Sequence, residues 1–490
     1  MRERLFLFYG ILSATLLAAD WPQLQRDAAN SGYQAERIVT NRYTSNGGYG
    51  APRWSWRQAA ETRGQPIVGE GLVVIGDVRG IVTALDEGTG AVRWTADAGS
   101  PIWGTLAMAG GKVIAATQAG ELVAFSTAGA PAWRYQPGGK GFQTSVTIAG
   151  ELALAGSKDG RFHAVNIHSG IAAWVFQVGA GPDADSVRAS ILCAAAVGQG
   201  RVYFGAENMN AYALNLLNGG LVWKRRLYGQ SFAGGWAVFS SQAGGVVFFR
   251  TKPVYSFHET LNSDEAFLQQ VTGATAEGNP LGDAARWIIE QRAISQRLRD
   301  NPHRRSLWEL NAATGADRYA LPMPVLYTSG SGDVPAPPVV DDAGGRAWAV
   351  LRSVYARFDG MGVRNYGELA GLRLTFDPAI YANPASGVLA ISYFPCLGST
   401  NCKMSWEDFH KIADEGEVLT AAQNAVVSST WVSVGGIDTE SGRTFNIRFY
   451  SSDDTGGAEL YGVSDAGAVI ANGRIVLRDS AGIKSYNQPN

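Results

Sequence analysis

The chain has 490 residues, with 41 Lys and Arg against 43 Asp and Glu, so its formal net charge of −2 draws it to neither nucleic acid nor an anionic membrane. Hydrophobic residues make up 46% and charged residues 17%, which excludes a disordered chain. The 61 glycines, 14 tryptophans and 18 tyrosines, with no collagen period, exclude an all-helical protein and point to short strands joined by tight turns.

In chain order, residues 1–19 read as a secretory signal peptide. Arg2 and Arg4 precede an apolar stretch, Leu5 to Leu17, and small residues Ala18 and Ala19 stand before Asp20. The stretch is too short for a bilayer core of ~30 Å. No cysteine near the cut offers a lipid attachment point, and no later run is apolar enough to cross a membrane. A mature domain of 20–490 is therefore expected, periplasmic or secreted and monomeric, without a transmembrane span.

From Gly71 a repeat takes over. Its grammar is a turn glycine, an apolar strand, a short turn, a second strand, then a Gly turn and a Trp. The first unit runs from Leu72-Val73-Val74-Ile75 through Ile81-Val82-Thr83-Ala84-Leu85-Asp86 to Thr89-Gly90 and Trp94. Three further units end on Gly129 and Trp133, Gly170 and Trp174, and Gly219 and Trp223. A period of about 40 residues with several strands per unit is the signature of a propeller blade. Weaker units follow: Gly245–Phe249 with Ser306–Asn311, then Arg346–Val350, Val388–Ser392, Trp431–Val434 and Arg474–Leu477. These are nine candidates in all, one of which, near 385–460, is not expected to be a separate blade. The expectation is an all-β fold, a single eight-bladed β-propeller of four-stranded antiparallel blades. A lone blade cannot bury both its faces, whereas radial stacking buries each against a neighbour.

The chain ends on strands with no Trp-bearing strand after them, while Pro52-Arg53-Trp54-Ser55-Trp56-Arg57 stands before the first unit. Pairing of the N- and C-terminal strands would close the ring, with Trp56 as the docking residue of that blade. An insertion at about 262–305 interrupts the fifth unit. Asp283 to Arg299 has helical periodicity, with Trp287, Ile294 and Leu298 on one side. Its basic residues, among them Arg292, Arg297, Arg304 and Arg305, read either as a solvated helix end or as a partner-binding arm. Cys396 and Cys402 share one polar loop and are expected to form a disulfide, with two free thiols as the alternative; Cys193 reads as a buried apolar thiol.

The opening Asp20-Trp21-Pro22-Gln23 with Asn30-Ser31-Gly32, and the unit Ala84-Leu85-Asp86 with Thr89-Gly90 and Trp94, resemble the pyrroloquinoline-quinone-type propeller repeat of the quinoprotein alcohol dehydrogenase-like family. The resemblance implies that Trp94, Trp133, Trp174 and Trp223 dock one blade on the next. It also implies one of two activities. One branch comprises dehydrogenases that hold the quinone and calcium on the ring axis; the other comprises non-catalytic propellers of outer-membrane assembly. The adjacent Cys-Cys pair of many of the dehydrogenases is absent, as is a haem motif. Lys158, Glu207 and Asn208, on turns expected to open around the axis, are the candidates for a quinone and calcium cradle, though such residues are also ordinary hairpin tips. No spacing typical of a metal site, no nucleophile elbow and no phosphate loop occurs. The expected function is a binding or scaffold module for a protein or cell-envelope ligand; the alternative is a quinone- and calcium-dependent dehydrogenase acting on an alcohol or sugar.

Overall fold

The computed structural model describes residues 20–40, 51–228, 235–252, most of 263–273, 283–323, 337–352, 357–359, 362–364, 367–373, 391–393, 418–429, 433–440, 444–449 and 467–487. The leader at 1–19 and the pair Cys396 and Cys402 lie outside these residues.

The units with the clearest repeat fold as antiparallel four-stranded sheets whose strands lie side by side in chain order. The first blade spans Ile67–Gly69, Leu72–Gly76, Ile81–Asp86 and Val92–Asp97. The second covers 107–135, the third 147–177 and the fourth 196–226. The middle strands are apolar on both sides, as a sheet covered on both faces requires, and Val73, Val74, Val82 and Ala84 are fully buried. The outer strand faces water on one side and alternates exposed with partly buried residues.

Among the described residues seven blades of four or more strands form, not the eight expected. The fifth blade spans 339–393, the sixth 418–449 and the seventh 469–487 with Trp54–Arg57. Between the fourth and fifth lies a sector whose sheet has only three strands: Val238–Ser240, Val246–Arg250 and Leu307–Asn311. Its outer position is marked by a single bridge, Leu310 to Asp317, and the Trp that ends a regular unit is here Tyr319. Two further readings are corrected. Ile391–Tyr393 is the outermost strand of the fifth blade, paired with Gly367–Arg373, so Val388–Ser392 does not begin a unit. Ser433–Asp438 pairs with Ala425–Ser429 as the third strand of the sixth blade, so Trp431–Val434 does not begin one either.

The ring is closed by the two ends of the chain. Trp54–Arg57 runs antiparallel to Gly482–Asn487, with Trp54 opposite Ser485 and Trp56 opposite Ile483. One hydrophobic cluster joins Val68, Val73 and Ile75 of the first blade to Ile470, Ile475 and Leu477 of the seventh and to Val427 and Phe445 of the sixth.

The same lock holds neighbouring sheets together at their rims. The Trp94 indole donates to the Thr127 carbonyl at 2.8 Å and lies flat on Gly129 of the next blade. Gly129 has φ +88°, and a Cβ there would sit 2.7 Å from Trp94 Cγ, so only glycine serves. Trp133 repeats this on Ile167 and Gly170, Trp174 on Leu216 and Gly219, and Trp223 on Ala312 and Gly315. At the closing blade the residue so placed is Trp54, which donates to Glu87 at 2.9 Å and packs on Gly90. Trp56, expected in this role, is half-buried two residues further along.

The ring axis is filled by the chain itself. Residues 21–34 pass the inner strand of every sector and satisfy its free edge. Val68 N–H donates to Trp21, Met108 to Pro22, Val197 to Ala28, Phe239 to Ala29, Val340 to Ser31 and Ala421 to Gly32, all at 2.6–2.9 Å. Ile148 N–H donates to the Gln23 side chain at 2.6 Å, and Gln34 donates to the Ile470 carbonyl. Asn30 Nδ2 donates to both Ala195 and Ala237 at 2.8 Å. A sheet edge facing an open channel would leave these groups unpaired; the segment acts as a cork that pairs them.

Candidate functional site

The turn between the second and third strands of each blade emerges on the same face as the connection arriving from the blade before. Ile102 bridges Thr117 and Phe142 bridges Ser157; Lys158 N–H donates to Gly141 at 3.0 Å and Glu207 N–H to Ser190 at 2.9 Å. The other face carries the tryptophan locks and both ends of the cork. Asp20 accepts a bond from Asn472, and Glu36 accepts from Gly473, both at the first turn of the seventh blade.

Lys158, Glu207 and Asn208 all lie on the first of these faces, but the side chains of Lys158 and Asn208 have separate partners. Lys158 Nζ donates to Gln118 Oε1 of the preceding blade at 2.5 Å. Asn208 Nδ2 donates to Val187 at 3.0 Å and to the Tyr212 hydroxyl at 2.8 Å, within its own sector. Among the described residues, no group of three or more His, Cys, Asp or Glu side chains is placed to hold a metal ion. Lys158 and Asn208 are thus engaged by separate neighbours rather than by one another.

The basic residues of the insertion are mostly turned inward. Helix α1, Asp283–Asp300, buries Ile294 and Leu298 and leaves Arg292 exposed. Arg297 donates to Ser263 Oγ at 2.7 Å and lies over the Phe267 ring. Arg304 lies 3.8 Å from Asp264. Arg305 is buried, paired with Glu309 at 2.9 Å and Asp317 at 2.8 Å, and stacked on Trp308. Burial raises the Glu309 carboxyl above its usual range, and the Arg305 guanidinium opposes that.

Ser157, His163 and Asp159 form a serine–histidine–acid cluster that is structural. His163 is fully buried, against Phe142 and 3.1 Å from the Tyr135 hydroxyl. Burial pushes its pKa down to about 4, so it is neutral at pH 7. Ser157 is buried and its hydroxyl lies 2.5 Å from Asp159, whose carboxyl the neighbouring hydrogen bonds from Arg161 and Ser157 hold low against the opposing effect of burial. Neither serine nor histidine can reach a substrate. Cys193 is a buried thiol pushed up to about 12 by burial.

Two features were not expected from the sequence. The connection 178–195, longer than those at 98–106 and 136–146, is stiffened from within. Buried Asp183 accepts bonds from Gly179 N–H, Ser186, Tyr212 and Lys224 at 2.6–3.1 Å. That scaffold presents Val187, 77% exposed, next to exposed Arg188. The second is a pair of cations on one indole. Arg63 and Lys158, from the first and third blades, lie 4.5 and 5.0 Å from the ring centre of Trp103, on the connection into the second. The 40-residue spacing of 63, 103 and 143 places these positions in line, but the differing residue types conceal it.

Comparison with known proteins supports the fold and one branch of the resemblance. The family model described as outer membrane protein assembly factor BamB matches residues 78–316. The outer membrane protein assembly factor BamB of Yersinia pestis is 28% identical over 188 residues, 38% of this chain and 39% of that protein. The match thus spans about two fifths of that relative's length. In fold, the quinohemoprotein alcohol dehydrogenase ADHIIG from Pseudomonas putida HK5 superposes with a TM-score of 0.58 at 13% identity, covering 95% of this chain and 76% of that one. BamB from Moraxella catarrhalis gives 0.50 at 13% identity, covering 90% and 99%. The chain is a β-propeller built on the pyrroloquinoline-quinone-type repeat, similar in sequence to outer-membrane assembly factors and in fold to these and to quinoprotein dehydrogenases alike.

Proposed function

We propose that this propeller is a non-catalytic, periplasmic protein-binding module of outer-membrane protein assembly. The sequence similarity to assembly factors across the regular blades favours this reading over oxidation of an alcohol or sugar. The observation that carries it is the 178–195 connection: a buried carboxylate network fixes the loop while an apolar side chain stands in water beside a cation. A loop held rigid with Val187 outward loses little conformational entropy on binding, which is what a recognition element requires. No helix among the described residues is long and apolar enough to cross a membrane.

The test is affinity purification from cross-linked cell envelopes with mass-spectrometric identification. The expected result is recovery of an integral component of the outer-membrane assembly machinery with the wild-type protein, and its loss with Val187→Asp at unchanged melting temperature. Recovery that is identical for both proteins, or no such component in either, overturns the reading. Saturable dye reduction on adding pyrroloquinoline quinone, calcium and an alcohol would overturn it in favour of the dehydrogenase.

A further inference from the structure

We propose that Arg63, Trp103 and Lys158 form a docking site for an acidic polypeptide segment, distinct from the Val187 loop on the same face. Three observations carry this. The guanidinium and the ammonium converge on one half-buried indole from two different blades, at 4.5 and 5.0 Å from its centre. Each cation is attracted to the ring; Glu61 already balances the Arg63 guanidinium at 2.8 Å, whereas no carboxylate among the described residues pairs Lys158. A carboxylate brought to the Lys158 ammonium beside the indole gains a charge-assisted hydrogen bond there.

Secondly, the donors of Lys158 and Trp103 are available. Lys158 Nζ bonds only the neutral Gln118 side chain, and the Trp103 indole N–H meets no acceptor among the described residues. Thirdly, neighbouring cations stand without a carboxylate. Beside the indole, Glu61 pairs Arg63 at 2.8 Å, Asp77 pairs Arg79 at 2.8 Å and Asp159 pairs Arg161 at 2.6 Å. Lys140 beside the second-blade turn and Arg188 beside the fourth are exposed and, like Lys158, make no ion pair among the described residues. Cations spread over neighbouring turns suit several carboxylates carried on one extended chain better than a single small anion.

The proposal rests on the protein-binding reading, but its test uses no natural partner. Hexaglutamate peptide is titrated into the full chain by isothermal calorimetry at low salt, with hexaglutamine and free glutamate as comparison probes. Hexaglutamate is expected to bind saturably, hexaglutamine not at all, and free glutamate far more weakly. Trp103→Ala and Lys158→Gln should each weaken the peptide about tenfold, while Arg93→Gln, on an outer strand, leaves it unchanged. Lys158→Gln removes a charge from a turn tip and keeps the test sound if Trp103→Ala lowers the melting temperature. Absence of saturable binding, equal binding of hexaglutamine or free glutamate, or affinity unchanged in both variants overturns the site. Peptide binding without recovery of an assembly component from cell envelopes would sink the proposed function and leave this site standing.

Discussion

The first four blades and the sector that follows them solve the same problem by different means. In residues 67–226 each sheet is complete, and its outer Trp is seated on a positive-φ glycine of the next sheet. In 238–323 the described residues hold no outer strand and Tyr319 stands where Trp would; stability there is drawn from Arg305, Glu309, Asp317, Trp308 and Thr251. The regular half is held by repeated apolar docking, the irregular sector by one buried ionic network. A long insertion between two paired strands is tolerated where side chains inside the sheet, rather than at its rim, hold the strands.

That contrast can be broken most severely at the closure. Truncation through Trp56 removes both the cork and the closing strand, and should abolish the cooperative thermal transition of the entire ring, regular half included. A truncated protein that melts with an unchanged midpoint would mean that the blades are held by their neighbours alone.

Two substitutions compare the two kinds of lock directly. Trp174→Ala should cost about 3–5 kcal/mol by leaving Gly219 uncovered. Arg305→Ala should cost a similar ~3–5 kcal/mol, because Glu309 is left buried without its cation. Chemical denaturation measures both. A loss near zero for Arg305→Ala would show that the irregular sector does not depend on its ion pairs. In the closing blade Trp54→Ala should cost clearly more than Trp56→Ala, since only Trp54 occupies the glycine.

A smaller effect is specific to the third blade. His163 titrates at about 4 in the folded chain, against an ordinary value near 6.5 in the unfolded one. The unfolded state therefore binds the extra proton between these values, so stability is full above pH ~6.5 and falls as the pH drops toward ~4, by on the order of 3 kcal/mol at most. His163→Gln should flatten this part of the melting-temperature profile; an unchanged slope would assign it to other groups. The smallest effect is Tyr319→Trp. With no regular outer strand to carry the ring into place, the change should alter stability by less than ~1 kcal/mol, and a larger gain would indicate that a lock can be rebuilt there.

The regular blades were legible because their pattern is local: turn glycine, strand and Trp recur at a fixed spacing, and Gly90, Gly129, Gly170 and Gly219 already stood in the repeat. Closure was legible too, since an orphan Trp-bearing strand at one end met a Trp-less sheet at the other. The choice of Trp56 over Trp54 failed because both alternate onto one side of the strand, and only the position of Gly90 in space separates them. The blade count failed where sequence reads strands without their partners; Ile391–Tyr393 looks like the beginning of a unit until its neighbour is known. The cork could not be read at all. Residues 21–34 have no period, and their form is dictated by strand edges contributed by the whole rest of the chain. Of the candidate site, Lys158 was singled out as a turn tip, but its companions Arg63 and Trp103 lie on connections where the repeat enforces no residue type.

The cork sets an order of events for biosynthesis. Residues 21–34 leave the ribosome before the strands they bond, and their bonding partners extend to Ile470, 436 residues beyond Gln34. Until then the early segment has nowhere to settle and the inner edges of finished sheets stand bare, a condition that invites sticking to other nascent chains. A segment bonded across 436 residues of sequence can take its final place only after the strands that hold it are complete.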